Sequence, residues 1–182
     1  MNESNRQIVH LLFGLGIAGF VSIFDRQVTV AVLVLALFLG FILSDALSRG
    51  YYVFFVSEII ERLERREAVP GKGALFFALG ALFCLIFFPS GVAFIALVVL
   101  AVLDSTTTIA GVRYGKTKIY NNKSLEGSLI GIAATTAVLV FLLPLWMALV
   151  VAGVAGLVEL FSPVDDNLTI PVATCLLLIA LL

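Results

Sequence analysis

Apolar runs of 16 to 20 residues, separated by short polar or turn-forming breaks, set the pattern of this chain. A helix needs about 20 mostly apolar residues to cross the hydrocarbon core of a bilayer, with roughly 17 as the lower limit. By that ruler seven spans are expected, at 7–23, 27–45, 71–88, 91–110, 126–143, 145–161 and 167–182. The breaks are Asp25-Arg26, a long charged insert, Pro89-Ser90-Gly91, a basic stretch after residue 110, Pro144, and Ser162 to Asp166. At Pro89 and Pro144 the competing reading is one kinked helix. The first run, LLFGLGIAGFVSIF, reads as a span rather than a cleaved leader: a single cation precedes it and no small-residue cleavage site follows.

The insert contains YYVFFVSEIIERLERREAVPGKG, in which Val56, Ile59, Ile60 and Leu63 recur at helical spacing. Glu58 with Arg62, and Glu61 with Arg65, are acid-first pairs four apart that support an exposed helix. The expectation is an interfacial amphipathic helix with its aromatic start among the headgroups and its end at Pro70-Gly71. The predicted fold class is therefore all-α, a polytopic membrane helix bundle of about seven transmembrane helices plus this interfacial helix, forming one domain over residues 1–182.

Composition agrees with the pattern. Hydrophobic residues make up 62% of the 182 positions and charged residues 13%, and the mean hydropathy of +1.17 lies far outside soluble usage. The net charge of −1 says little, because the placement of charge matters more than its sum. With seven spans, Arg6, Arg49, Arg62, Arg65, Arg66, Lys72, Arg113, Lys116, Lys118 and Lys123 fall on one side and only Arg26 on the other. The positive-inside rule makes that basic side cytoplasmic and leaves the carboxyl terminus outside. Cys84 and Cys175 lie in apolar runs far apart in sequence and read as small packing residues, without zinc or disulfide spacing.

The chemistry concentrates in DSTTTIAGVRYGKTKIYNNKSLEGS, residues 104 to 128. Its centre, GVRYGKT, imitates a P-loop, but Gly111 and Gly115 enclose three residues where the phosphate-cradling loop needs four, and a membrane span precedes it in place of a buried strand. The cations Arg113, Lys116, Lys118 and Lys123 nevertheless suit an anionic phosphate chain. Asp104 falls inside a span, where an ionisable side chain costs at least about 2.5 kcal/mol unless it faces a polar cavity or a partner. Glu159 and His10 carry the same burden near the same membrane face, which suggests one shared pocket. Hard carboxylate oxygens beside Lys and Arg fit a nucleoside triphosphate with Mg2+ or another divalent cation, and an acceptor reached from the bilayer would be a lipid.

These residues resemble the CTP-dependent polyprenol kinases, the family of dolichol kinase, phytol kinase and the CTP-dependent diacylglycerol kinase. The likeness rests on Asp104 near the end of a membrane helix, Gly111, the Gly115-Lys116 pair, and the run Lys123-Ser124-Leu125-Glu126-Gly127. Arg6 with His10 upstream, and Asp166-Asn167 with Pro171 downstream, extend it toward both ends. Ser105-Thr106-Thr107-Thr108 departs from the family's more usual Ala and Ser after the Asp.

The resemblance implies transfer of the γ-phosphate of CTP to a polyprenol or dolichol-type alcohol at the cytoplasmic face. It implies Asp104, Glu126 and Asp166 as catalytic and metal-binding residues. Gly111, Arg113, Gly115, Lys116, Lys118, Lys123, Ser124, Gly127 and Asn167 would bind nucleotide, and Arg6, His10 and Glu159 would line the pocket. Two other readings stand beside it: a phosphatidate cytidylyltransferase-like enzyme making a CDP-activated lipid, and a small ion transporter using Asp104 and Glu159. The small residues on several helices also permit a homo-oligomer.

Overall fold

The computed structural model describes residues 3–58, 69–120 and 123–182. Within them the chain is helical, with seven bounded helices: α1 (Glu3–Ile23), α2 (Arg26–Ser48), α3 (Lys72–Phe87), α4 (Ser90–Tyr114), α5 (Leu125–Leu139), α6 (Leu145–Phe161) and α7 (Asp166–Leu181). Each coincides with one of the apolar runs. Three of them, α1, α2 and α4, are long and apolar enough to cross a membrane, whereas α3, α5, α6 and α7 have 15 to 17 residues. At 1.5 Å per residue these shorter helices are roughly 22–26 Å long, less than the ~30 Å hydrocarbon core. Of the expected interfacial helix, residues 56–58 form helical turn, while its Ile59, Ile60 and Leu63 and the Glu58–Arg62 and Glu61–Arg65 pairs lie outside the described residues.

Both prolines end a helix rather than kinking one. Pro89 caps α4 and Pro144 caps α6, each with extended ψ near 145°, because the ring fixes φ and the residue before it is driven out of helical conformation. In this way α3–α4 and α5–α6 become hairpins. Pro171, by contrast, sits inside α7. It has no N–H to offer the carbonyl of Asn167, and Gly80 of α3 packs against that same carbonyl, where a Cβ would collide with it.

Helix α4 is the axis. It packs against α1, α3, α5, α6 and α7, and 67% of its most apolar window is buried, against 22% for α1 and 17% for α2. A helix apolar on all sides belongs in the middle of a bundle, and Leu97, Val99, Leu100 and Leu103 are fully enclosed. The face of α2 that carries Val32, Leu35, Phe38, Leu39 and Ile42 is exposed, as suits contact with lipid tails rather than water.

Alternating helix directions gather the start of α1, the end of α2, the start of α3, the end of α4, the start of α5, the end of α6 and the start of α7 at one end of the bundle. Side-chain bonds tie these termini together. Ser44 Oγ of α2 donates to the carbonyl of Pro70 at 2.6 Å, and Lys72 Nζ of α3 lies 3.4 Å from Asp165 Oδ2 before α7.

Candidate functional site

The polar and charged groups that sequence scattered from residue 6 to residue 167 converge at this end, around a cavity of about 1070 Å³. Its lining includes Arg6 and His10 of α1, Lys72 of α3, Asp104, Thr107 and Gly111 of α4, Lys118, Lys123 and Ser124 of the following turn, Glu159 of α6, and Asp165, Asp166 and Asn167 at the start of α7.

At its floor, one oxygen each of Asp104, Glu159 and Asp166 lie within 4.8 Å of one another. Glu159 is only 2% exposed. Its Oε1 lies 2.7 Å from Lys123 Nζ and 3.2 Å from Thr107 Oγ1. Its Oε2 has no hydrogen-bond partner among the described residues. Lys123 Nζ also donates to the Glu159 carbonyl at 2.7 Å and to Asp166 Oδ2 at 3.1 Å. Asp104 Oδ2 faces His10 Nε2 at 3.2 Å, a distance suited to an ion pair but without hydrogen-bond alignment. Phe77 meets the His10 ring edge-on and closes that side.

Lys123 holds its place because the backbone around it is pinned. Lys118 and Ser124 form an antiparallel bridge. The N–H groups of Ile119, Lys123 and Leu125 donate to the carbonyls of Lys123, Tyr120 and Thr117 at 2.8–3.0 Å. Ser124 then caps α5, its side chain accepting from the Gly127 N–H. Burial pulls the Lys123 pKa down, but the carboxylates of Asp166 and Glu159 outweigh it and hold the ammonium above the usual lysine value.

The structure corrects several expectations. Glu126 is not beside Asp104 and Asp166; its carboxylate turns to the preceding turn and accepts the backbone N–H groups of Lys116 and Thr117 at 3.0–3.2 Å. Glu159, expected as pocket lining, takes the third place in the acidic cluster. Gly111 and Arg113 belong to the last turn of α4 rather than to the basic break expected after residue 110, since the helix continues to Tyr114 and Gly115 closes it by donating to the Gly111 carbonyl at 3.1 Å.

Arg113, Gly115, Lys116, Glu126 and Gly127 are absent from the cavity lining, and Arg113 instead lies over the Tyr114 ring, 5.6 Å from its centroid. The glycines serve packing. A Cβ on Gly127 would meet the Thr107 carbonyl at 2.7 Å and Gly111 Cα at 2.9 Å, so the α4–α5 crossing requires glycine there. Lys72, Asp165 and Thr107 were missed. Lys72 and Asp165 carried a signal as charges flanking spans, whereas Thr107 was one hydroxyl in a run of four.

No family model matches the chain, and no solved structure matches it. The uncharacterized protein MJ1137 of Methanocaldococcus jannaschii is 37% identical to it over 178 residues, which cover 94% of this chain and 90% of that one.

Proposed function

The chain belongs to the family of that Methanocaldococcus jannaschii protein, and on the site described above we propose that it is a CTP-dependent kinase of lipid alcohols. One observation carries the reading: three carboxylates and the Lys123 ammonium meet at the floor of a large cavity, at one end of helices suited to a membrane. In this reading all seven helices cross the bilayer, the four short ones included, and the polar end faces the cytoplasm with the amino terminus. The volume exceeds that of most small-ligand pockets and suits a triphosphate together with a lipid headgroup.

The donor set fits a divalent cation. Asp104, Glu159 and Asp166 offer hard carboxylate oxygens to Mg2+, which would neutralise charge on the phosphates when bound. Arg6, Lys118 and Lys123 line the cavity and would supply cations to the triphosphate, with Asn167 as a further polar contact. Cytidine as the base follows from the resemblance to the polyprenol kinases, as does the isoprenoid character of the acceptor. In the transfer, the alcohol oxygen bonds to the γ-phosphorus, the bond from that phosphorus to the β–γ bridging oxygen breaks, and CDP leaves. The hydroxyl proton passes to a carboxylate of the cluster, because an alcohol is a poor nucleophile until its proton is accepted.

The test is incubation of the purified protein with Mg2+, a polyprenol or phosphatidate, and CTP labelled at either the γ- or the α-phosphate. Label entering polyprenol only from the γ position is expected. Label entering phosphatidate from the α position would replace the kinase with a cytidylyltransferase, and no transfer to either lipid would overturn both.

A further inference from the structure

We infer that the Lys123 ammonium is a built-in occupant of the divalent-cation site, competing with the metal for the same oxygens and released toward the phosphates when the metal enters. The inference rests on reading the three carboxylates as a cation site, but it does not require that the transferred group be a phosphate.

All three protons of the Lys123 ammonium are used on the site's own groups, Glu159 Oε1, the Glu159 carbonyl and Asp166 Oδ2, at 2.7–3.1 Å. Lysine therefore reaches two of the three carboxylates. Asp104, whose Oδ2 faces His10 Nε2 at 3.2 Å, is left to one side. A divalent ion can engage all three at once. Ligand oxygens on opposite sides of a Ca2+-sized ion are about 4.8 Å apart and those around Mg2+ about 4.2 Å, from metal–oxygen distances of roughly 2.4 and 2.1 Å. The present spacing, within 4.8 Å, does not exceed the larger of these spans, and an ion shared by all three is reached by inward side-chain adjustment of the carboxylates.

Two buried oxygens of the cavity lining, one of them within the cluster itself, are open to a ligand. Glu159 Oε2 and Asn167 Oδ1 are buried and lack hydrogen-bond partners among the described residues; Glu159 is 2% exposed and Asn167 7%. A buried oxygen of this kind is costly when nothing satisfies it, and a cation at the cluster would satisfy Glu159.

The geometry also provides for release. The Lys123 backbone is fixed by the bridge and the turn bonds around it, while its side chain remains 27% exposed to the cavity. The exchange thus needs only rotation of a flexible four-carbon stem, which can carry the charge toward a ligand in the same cavity. Until a metal enters, the same ammonium keeps the buried Glu159 carboxylate and the half-buried Asp166 carboxylate paired, which avoids the cost of leaving a buried charge uncompensated.

The experiment is Mn2+ binding, read by electron paramagnetic resonance, on the full-length protein in detergent without nucleotide. Lys123→Met is expected to bind Mn2+ at least about tenfold more tightly than the wild type, equivalent to ~1.4 kcal/mol. Adding Asp104→Asn to that variant is expected to reverse the gain. Equal or weaker Mn2+ binding by a monodisperse Lys123→Met protein would overturn the inference. Should that variant fail to fold, Lys123→Arg gives the second reading. The guanidinium pairs carboxylates bidentately and is expected to lower Mn2+ affinity, so unchanged or tighter binding would overturn the inference. Because the readout is the metal, a protein that binds Mn2+ as expected yet transfers no phosphate refutes the kinase alone. Transfer with Mn2+ affinity indifferent to Lys123 refutes the competition alone.

Discussion

The two ends of the bundle are made by the same apolar helices and differ almost entirely in what joins them. At the far end the connections are two residues at 24–25, two at 88–89 and five at 140–144; at the site end they run over 49–71, 115–124 and 162–165. The far end holds one charged turn, Asp25-Arg26, and Arg26 Nη2 is spent on the helix-ending carbonyl of Ile86 at 2.7 Å. The site end holds the acidic cluster, its lysine and the cavity. Tight turns at one end serve only to reverse the chain. At the other end the connection over 115–124 carries Lys123 back over the helix ends, and there the Glu159 and Asp166 carboxylates acquire a partner. A permeation pathway would need polar groups on both sides of the midplane, so this one-sidedness favours a chemical site over an ion conduit.

The contrast yields predictions of decreasing size. Asp104→Asn removes one carboxylate of the cluster without changing its shape, and transfer of label from CTP to polyprenol is expected to fall by at least ~10³-fold, as for loss of a group that positions transition-state charge. The protein should insert and purify normally, and near-normal transfer would sink the assignment.

Next comes the packing that holds the site end together. A Cβ at Gly131 would run into the Thr107 side chain, whereas one at Gly153 meets nothing within 4 Å. Gly131→Ala is expected to cost about 1–3 kcal/mol by overpacking, read as a lower melting midpoint in detergent, together with reduced transfer because Thr107 is displaced from Glu159. Gly153→Ala should match the wild type in transfer and match or slightly exceed it in melting midpoint, and equal losses from the two substitutions would show that this packing is not what matters.

Ser124→Ala removes the cap of α5 and is expected to cost about 1 kcal/mol, a smaller fall in melting midpoint on the same assay. The smallest effect belongs to the far end. Arg26→Gln should change stability by no more than about 0.5 kcal/mol and leave transfer at the wild-type rate. A large loss of transfer there would erase the difference between the two ends.

Much of this was legible from the chain alone. The apolar runs located all seven helices, because length and hydropathy are local properties, and Pro89 and Pro144 marked the hairpins because the ring acts on its own neighbours. Asp104, Glu159 and His10 were grouped by a cost argument, since each was too expensive at membrane depth to stand alone. The role of each was harder to read. Glu126 was given the metal through the resemblance of the Lys123 to Gly127 run, but in the first turn of α5 its carboxylate accepts the N–H groups of Lys116 and Thr117. Glu159 is 36 residues from Lys123, and no spacing in the sequence singles out which loop lysine it meets. Arg113 and Lys116 were cations beside a glycine pair, yet where α4 ends decides that neither lines the cavity.

The central claim is that a cluster completed by Glu159, rather than by its sequence neighbour Glu126, does the chemistry. The most direct measurement compares initial rates of γ-label transfer from CTP to polyprenol for Glu159→Gln and Glu126→Gln at equal amounts of folded protein. Glu159→Gln is expected to lose transfer by ~10²-fold or more. Glu126→Gln should stay within about tenfold of the wild type, the scale of a weakened pair of backbone hydrogen bonds. The reverse order, with Glu126→Gln inactive and Glu159→Gln active, would contradict the account.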